Sequence, residues 1–258
     1  MDEQQAIIDE ITEELLGYCG PIFIAPAINS YPGQMIGNGT YALVDTGQKR
    51  LLVTCCHVWD EYLQKHDANS KTILAVTLGE GDSIVAFKDP ERQLIAADRD
   101  LDLAVFEFEP EGIRVRHRKD WFKISHWPIP KVEKGECIVT MGFPGASRRT
   151  AGTECRFGCV AIPVVITDVT DRSIAIFYVD ENQEVLNDMQ NSLGGVSGSP
   201  AYRLSDDGDL KIVGFTKGGS LESNAPNRKY QAASGSPLSS AAFFTHASFL
   251  RQDGTFGL

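Results

Sequence analysis

Leu51-Leu52-Val53-Thr54-Cys55-Cys56-His57-Val58 is an apolar, β-branched run that ends on a histidine, and the turn residues Gly47-Gln48-Lys49 precede it. Such a run reads as a buried strand delivering an imidazole at its end. Two other stretches are built alike. Asp100-Leu101-Asp102-Leu103-Ala104-Val105-Phe106 leads an acidic residue into an apolar strand, and Gly194-Gly195-Val196-Ser197-Gly198-Ser199-Pro200 holds a serine in a glycine-rich turn ahead of another strand. A histidine at a strand end is more often structural, and an aspartate at a strand start more often closes a turn. The force lies in all three arriving in order, each at a strand boundary.

Outward from these stretches the chain continues as short apolar or alternating runs broken by turn residues, the mark of an all-β domain. Strands are expected at 39–44, 51–55, 72–77, 84–87 and 103–108, and again at 137–141, 160–165, 174–179, 200–203 and 211–215. At the N-terminus Ile7, Ile8, Ile11, Leu15 and Leu16 fall at helical spacing among glutamates and stop at Gly17, so residues 1–19 read as an acidic amphipathic helix. It is expected to pack on the domain, and it is also a candidate docking element for an activating protein. Ser236-Pro237 reads as a cap and first turn of a C-terminal helix over about 236–250. The stretch from Trp121 to Lys134 suits a linker between two halves, about 20–120 and about 132–235.

The 258 residues include 24 basic and 35 acidic side chains, a net charge of −11, which argues against nucleic acid as the main partner. The basic cluster Arg114, Arg116, Arg118 and Lys119 is expected in a solvated loop, as are Arg148 and Arg149. No apolar stretch approaches the ~20 residues a bilayer span needs, so no membrane partner is expected. The opening Met1-Asp2-Glu3-Gln4-Gln5 does not resemble an export signal, and the expected compartment is cytoplasmic. The six cysteines (19, 55, 56, 137, 155 and 159) then read as reduced thiols, with Cys55 and Cys56 as small core residues. Their spacing suggests no zinc site, and no metal or cofactor is expected.

The three residue types belong to one chemistry. A serine hydroxyl is a weak nucleophile near neutral pH, so an imidazole must take its proton, and a carboxylate must fix that imidazole's tautomer. Glycines around the serine let backbone N–H groups reach a developing oxyanion. His57 and Ser197 are therefore the candidate base and nucleophile. Asp98, Asp100 and Asp102 all compete for the third place, with Asp102 favoured because the apolar strand starts directly after it. His66, His117, His126 and His246 lack such a context. A second Ser-Gly-Ser-Pro, at 234–237, reads as a helix cap.

Thr54-Cys55-Cys56-His57, Asp102-Leu103-Ala104-Val105 and Gly195-Val196-Ser197-Gly198-Ser199-Pro200 resemble, in order, the three motifs of the trypsin-like (chymotrypsin-fold) serine peptidases. Ile36-Gly-Asn-Gly-Thr40 and Gly135 to Pro144 support the likeness, which covers about residues 20–250. It implies two six-stranded antiparallel β-barrels, an endopeptidase acting on protein or peptide substrates, and a His57–Asp102–Ser197 triad with the N–H groups of Gly195 and Ser197 as oxyanion hole. The serine motif resembles most the glutamyl endopeptidase branch, whose layout places Thr216, Lys217 and Gly218 at the substrate pocket, and Asn191 falls near where trypsins carry the aspartate that selects Lys or Arg. Thr216 stands where that branch has histidine, and neutral Asn191 argues against trypsin specificity. Val196 replaces the aspartate that pairs with a new N-terminus in secreted members, and Val58 replaces a disulfide cysteine. The resemblance thus admits an enzyme latent until a partner orders it, and, as the alternative, a catalytically silent domain used for binding or sensing.

Overall fold

The computed structural model describes residues 3–27, 35, 37–78, 84–110, 113, 119–151, 154–178, 195–205, 209–218 and 240–257. In chain order these form α1 (Glu3–Leu16), β1 (Cys19–Ala25), β2 (Gly37–Asp45), β3 (Arg50–Thr54), α2 (Cys56–Ala68), β4 (Ile73–Thr77), β5 (Ile84–Ala86), α3 (Pro90–Gln93), β6 (Leu94–Asp98) and β7 (Leu103–Glu107). The short β8 (Phe122–Lys123) leads to β9 (Cys137–Gly142), β10 (Arg148–Ala151), β11 (Glu154–Phe157), β12 (Val160–Val165), β13 (Asp168–Val169), β14 (Ser173–Tyr178), β15 (Pro200–Leu204), β16 (Leu210–Gly218) and β17 (Ser240–His246).

Two antiparallel sheets carry the architecture, ordered β5-β4-β1-β2-β3-β7-β6 and β12-β9-β15-β16-β17-β14-β13. The ends of each path are consecutive in the chain. Pro90 starts the one-turn helix α3, capped by the Asp89 side chain on the Arg92 N–H, and this turn splits one strand position into β5 and β6. Likewise β12 and β13 are parted only by Ile166 and Thr167, whose N–H groups bond to Glu136 and Ala175. Counted as single interrupted strands, these pairs leave six strand positions in each path, whose two ends the chain itself joins; β8 adds to β2 off the first path.

The core has three large parts and a small fourth one, Phe23, Ala25 and Ala75 on the outside of β1 and β4. Ile22, Ile24, Tyr41, Leu43, Leu52, Ala104 and Phe106 fill the first barrel. Ile138, Val164, Ile174, Ile176, Val213 and Phe244 fill the second. The alternate residues of the first barrel, Ala42, Val44, Leu51, Val53, Leu103 and Val105, meet Met141, Phe143, Tyr202, Ile212 and Phe215 between the barrels. Since successive side chains point to opposite faces, β2, β3 and β7 are buried on both, which is why they read as continuous apolar runs rather than alternating ones.

Helix α1 adds its end to this middle layer through Leu15, with Ile11 and Leu16 against it. Lys119 donates to the carbonyls of Leu16 and Cys19, satisfying the helix's C-terminal end where a cation is favoured. Lys119 is thus buried, not solvated as its basic neighbours suggested; Arg114, Arg116 and Arg118 lie outside the described residues. The stretch from Trp121 to Lys134 is also no free linker. Phe122 and Lys123 pair in parallel with Val44 and Asp45, and Trp121, Ile124, Ile129 and Val132 are buried.

The expected C-terminal helix is a strand instead. β17 pairs with β14 and β16 on either edge, Phe244 enters the second barrel, and only a single 3₁₀ turn, Ala247–Phe249, follows. Two ladders of backbone hydrogen bonds outweigh the helix preference of Ala241 and Ala242. Residues 234–239 lie outside the described part.

Leu52→Ala, at a fully buried position of the first barrel, is expected to lower stability by about 2–5 kcal/mol. Leu204→Ala, at an exposed one, should stay within about 0.5 kcal/mol. Urea midpoints of the two variants check the pair.

Candidate active site

β3 and β7 run antiparallel with Thr54 opposite Ala104, so the residues just after β3 and just before β7 share one end of the barrel. His57 and Asp102 are those residues. The chain turns from β3 directly into α2, and His57 occupies the helix's first turn. Cys55, at the N-cap, offers no side-chain cap to this helix. Asp102 does it from outside: its Oδ1 accepts the His57 backbone N–H at 3.0 Å, and its Oδ2 meets His57 Nδ1 at 2.8 Å. One carboxylate therefore satisfies an orphan helix N–H at the positive end of the helix dipole and orients the imidazole.

Asp102 is held in the left-handed region, φ 54°, which aspartate tolerates better than most residues. The turn before it is tied down on three sides. Asp98 accepts the N–H groups of Asp100 and Leu101, Lys217 Nζ donates to the Asp100 carbonyl at 2.7 Å, and the Thr245 hydroxyl donates to the Leu101 carbonyl. Among the three aspartates it is Asp102 whose carboxylate reaches His57, while Asp98 shapes the turn. The side chain of His57 is 50% exposed and that of Asp102 19%, so the imidazole is reachable from solvent and its partner is covered.

Burial pushes the His57 imidazole down, but the hydrogen bond and charge of Asp102, with Glu61 and Asp60 nearby, push it up further. The balance lies above the ordinary 6.5. Burial pulls Lys217 down against the upward pull of Asp102, Cys55, Asp98 and Asp100. A hollow of about 350 Å³, lined by Cys56, Trp59, Asp60, Asp98, Arg99 and Asp100, opens beside the first turn of α2.

Ser197 reaches the same end from the second barrel, in the turn ahead of β15. The Thr40 N–H donates to its carbonyl at 2.8 Å, and the Thr40 hydroxyl donates to the Gly195 carbonyl at 2.9 Å. The N–H of Gly198 donates to the Thr216 carbonyl at 2.8 Å. Gly195 and Gly198 have φ of 99° and 89°, and a Cβ at Gly198 would stand 2.2 Å from the Thr40 carbonyl oxygen. Among the described residues the N–H groups of Gly195 and Ser197 have no hydrogen-bond partner, and the Ser197 hydroxyl makes no hydrogen bond to His57.

Asn191 lies outside the described residues. The Thr216 side chain is buried, and its hydroxyl donates to the Ser199 carbonyl at 3.1 Å. Lys217 holds the Asp100 turn, and Gly218 ends β16.

Three site residues escaped the sequence reading. Thr40 clamps the serine turn, and only its place in the Gly-Asn-Gly-Thr stretch hinted at it. Asn38 directs a buried, unpartnered Nδ2 at Gly195. Cys55, read as a core filler, is fully buried but lies against the Thr216 carbonyl and the Asp102 carboxylate.

No family model matches the chain, and no curated protein matches it. Among solved structures, Deg5 is 15% identical with a TM-score of 0.51, covering 84% of this chain and 87% of that one. A thermostable serine protease, AL20, from an extremophilic microorganism is 15% identical with a TM-score of 0.48, covering 89% of this chain and 91% of that one. At this identity the likeness fixes the fold alone. That fold is the chymotrypsin-like double barrel of serine proteases.

A group whose folded value is raised contributes stability fully present below its unfolded value and lost as pH rises through the folded one. The His57–Asp102 pair should thus stabilise the fold fully below about pH 6.5 and less above the raised value. Ring-proton NMR is expected to place the His57 midpoint above 6.5, and Asp102→Asn should bring it down; an unmoved midpoint would contradict the pairing. Gly198→Ala should cost at least about 1–3 kcal/mol from its backbone conformation alone, read by chemical denaturation.

Proposed function

We propose that the chain is a serine endopeptidase that hydrolyses peptide bonds through an acyl-enzyme. The observation that carries this reading is the His57–Asp102 pair at the end of one barrel with the Gly195–Ser199 turn of the other clamped beside it by Thr40. His57 Nε2 takes the Ser197 proton as Oγ attacks the scissile carbonyl carbon, and Asp102 holds Nδ1–H and stabilises the imidazolium. The N–H groups of Gly195 and Ser197 receive the oxyanion. The C–N bond then breaks as His57 returns the proton to the leaving amine, and water, activated by the same imidazole, releases the acyl group from Oγ.

The fold likeness supports the class of reaction without selecting a substrate. A second reading, a binding or sensing domain with a silent site, is favoured by one feature: the Ser197 hydroxyl is not bonded to His57. A latent enzyme joins the two, since catalytic hydrogen bonds often tighten only when substrate or partner binds.

Reaction with a fluorophosphonate probe separates the readings. Labelling of wild type at Ser197, absent in a folded Ser197→Ala protein, is expected. Peptide turnover should fall by roughly 10⁶ in that variant, as in triad knockouts of another serine protease. Unlabelled wild type, with peptide substrates of varied sequence present or absent, would support the silent domain.

A further inference from the structure

Cys55, His57 and Asp102 each place one potential metal-ligand atom within 4.8 Å of the other two. The three atoms differ in kind: a thiol sulfur, an imidazole nitrogen and a carboxylate oxygen. That donor set, three protein ligands with a fourth position left open, is one that Zn²⁺ accepts. Around a tetrahedral zinc with bonds of about 2.0–2.3 Å, neighbouring donor atoms stand about 3.5 Å apart. The Nδ1···Oδ2 separation of 2.8 Å must open slightly and the others need close by little more than 1 Å. The half-exposed His57 ring leaves an approach from solvent, whereas Cys55 is fully buried behind it.

We propose that this trio is an inhibitory site for a thiophilic divalent cation, with Zn²⁺ as its chemical type. The cation binds the Cys55 thiolate, Nδ1 of His57 and an Asp102 oxygen, with water in the fourth place. The Cys55 proton leaves to solvent, and the thiolate and carboxylate together neutralise the ion's charge, which removes the cost of burying any one of them alone. Coordination through Nδ1 requires the ring's single proton to sit on Nε2. That nitrogen is then a donor and cannot take the Ser197 proton, so the base is lost without any movement of the serine turn. Today's contacts are compatible with such an exchange: the thiol already lies 2.9 Å from the Thr216 carbonyl oxygen and against Asp102, so it faces the ion's place.

The inhibition rests on the hydrolase reading, but the binding does not, and the experiment keeps them apart. All proteins carry Cys137→Ser and Cys159→Ser, which remove the thiols exposed among the described residues, and Cys155→Ser, whose side chain lies outside them. Co²⁺ is titrated as a spectroscopic stand-in for Zn²⁺, and thiolate-to-cobalt charge-transfer absorption is read. The band is expected in that background and in its Ser197→Ala variant. It should disappear with Cys55→Ala, and His57→Ala should weaken Co²⁺ binding by more than the roughly 10–100-fold that loss of an outer-shell partner costs. His57, on the outer face of α2, provides the test should Cys55→Ala not fold. In parallel, Zn²⁺ should slow fluorophosphonate labelling of the background protein and leave that of Cys55→Ala unaffected. No band in the background protein, or a band of equal affinity persisting in Cys55→Ala or His57→Ala, overturns the site. A band with no labelling of any protein would leave the site standing and count against the hydrolase alone.

Discussion

The molecule depends on a layer of side chains that belongs to neither barrel's interior. Ala42, Val44, Leu51, Val53, Leu103 and Val105 leave the outside of the first barrel and are covered by Met141, Phe143, Tyr202 and Phe215 of the second. With both faces of β2, β3 and β7 buried, a slip of one residue would exchange the interior set for the interface set, so pairing register is strongly specified. Register in turn decides where chemistry can occur. Thr54 opposite Ala104 sets the turn bearing Asp102 beside the start of α2, and no loop has to search for that contact.

Asp102 then concentrates several demands on one carboxylate. It caps a helix whose own N-cap residue gives nothing, orients an imidazole, and does so from a left-handed backbone position secured by Asp98, Lys217 and Thr245. These ties explain why a half-exposed histidine is held in one orientation. A free imidazole at the surface would sample several rotamers; here its backbone and its ring are bound to the same carboxylate, and moving one disturbs the other.

What could be read from the chain follows from the same physics. Ten strands were legible because doubly buried strands give apolar runs and half-buried ones alternate, and turn residues bound both. His57, Asp102 and Ser197 stand out in the sequence because each sits where such a run begins or ends, and the structure brings the first two into contact. Helix α2 was not legible, although Cys56, Val58, Trp59 and Tyr62 are its buried residues, because it starts inside the histidine motif with no cap residue to announce it. β17 reads as helix because Ser236-Pro237 has the form of a cap and first turn, and only its two neighbours, distant in sequence, make it a strand. Thr40 and Cys55 were invisible as site residues for a related reason. Their roles are contacts across the barrel interface, separated from their partners by 155 and 161 positions.

Thr40 also narrows how the site can be controlled. Its N–H holds Ser197, its hydroxyl holds Gly195 and accepts the Phe143 N–H at 3.1 Å, and its carbonyl accepts the Thr54 hydroxyl at 2.8 Å. The serine's backbone is thus fixed to β2, one strand over from the strand that delivers His57. With Gly198 pinned to Thr216 on the other side, the freedom left to the half-buried Ser197 side chain is chiefly rotation about its own χ1, a hop between staggered wells. Any switch on this site acts more effectively on the imidazole's proton, or on the two glycine-flanked N–H groups, than on the distance between the barrels.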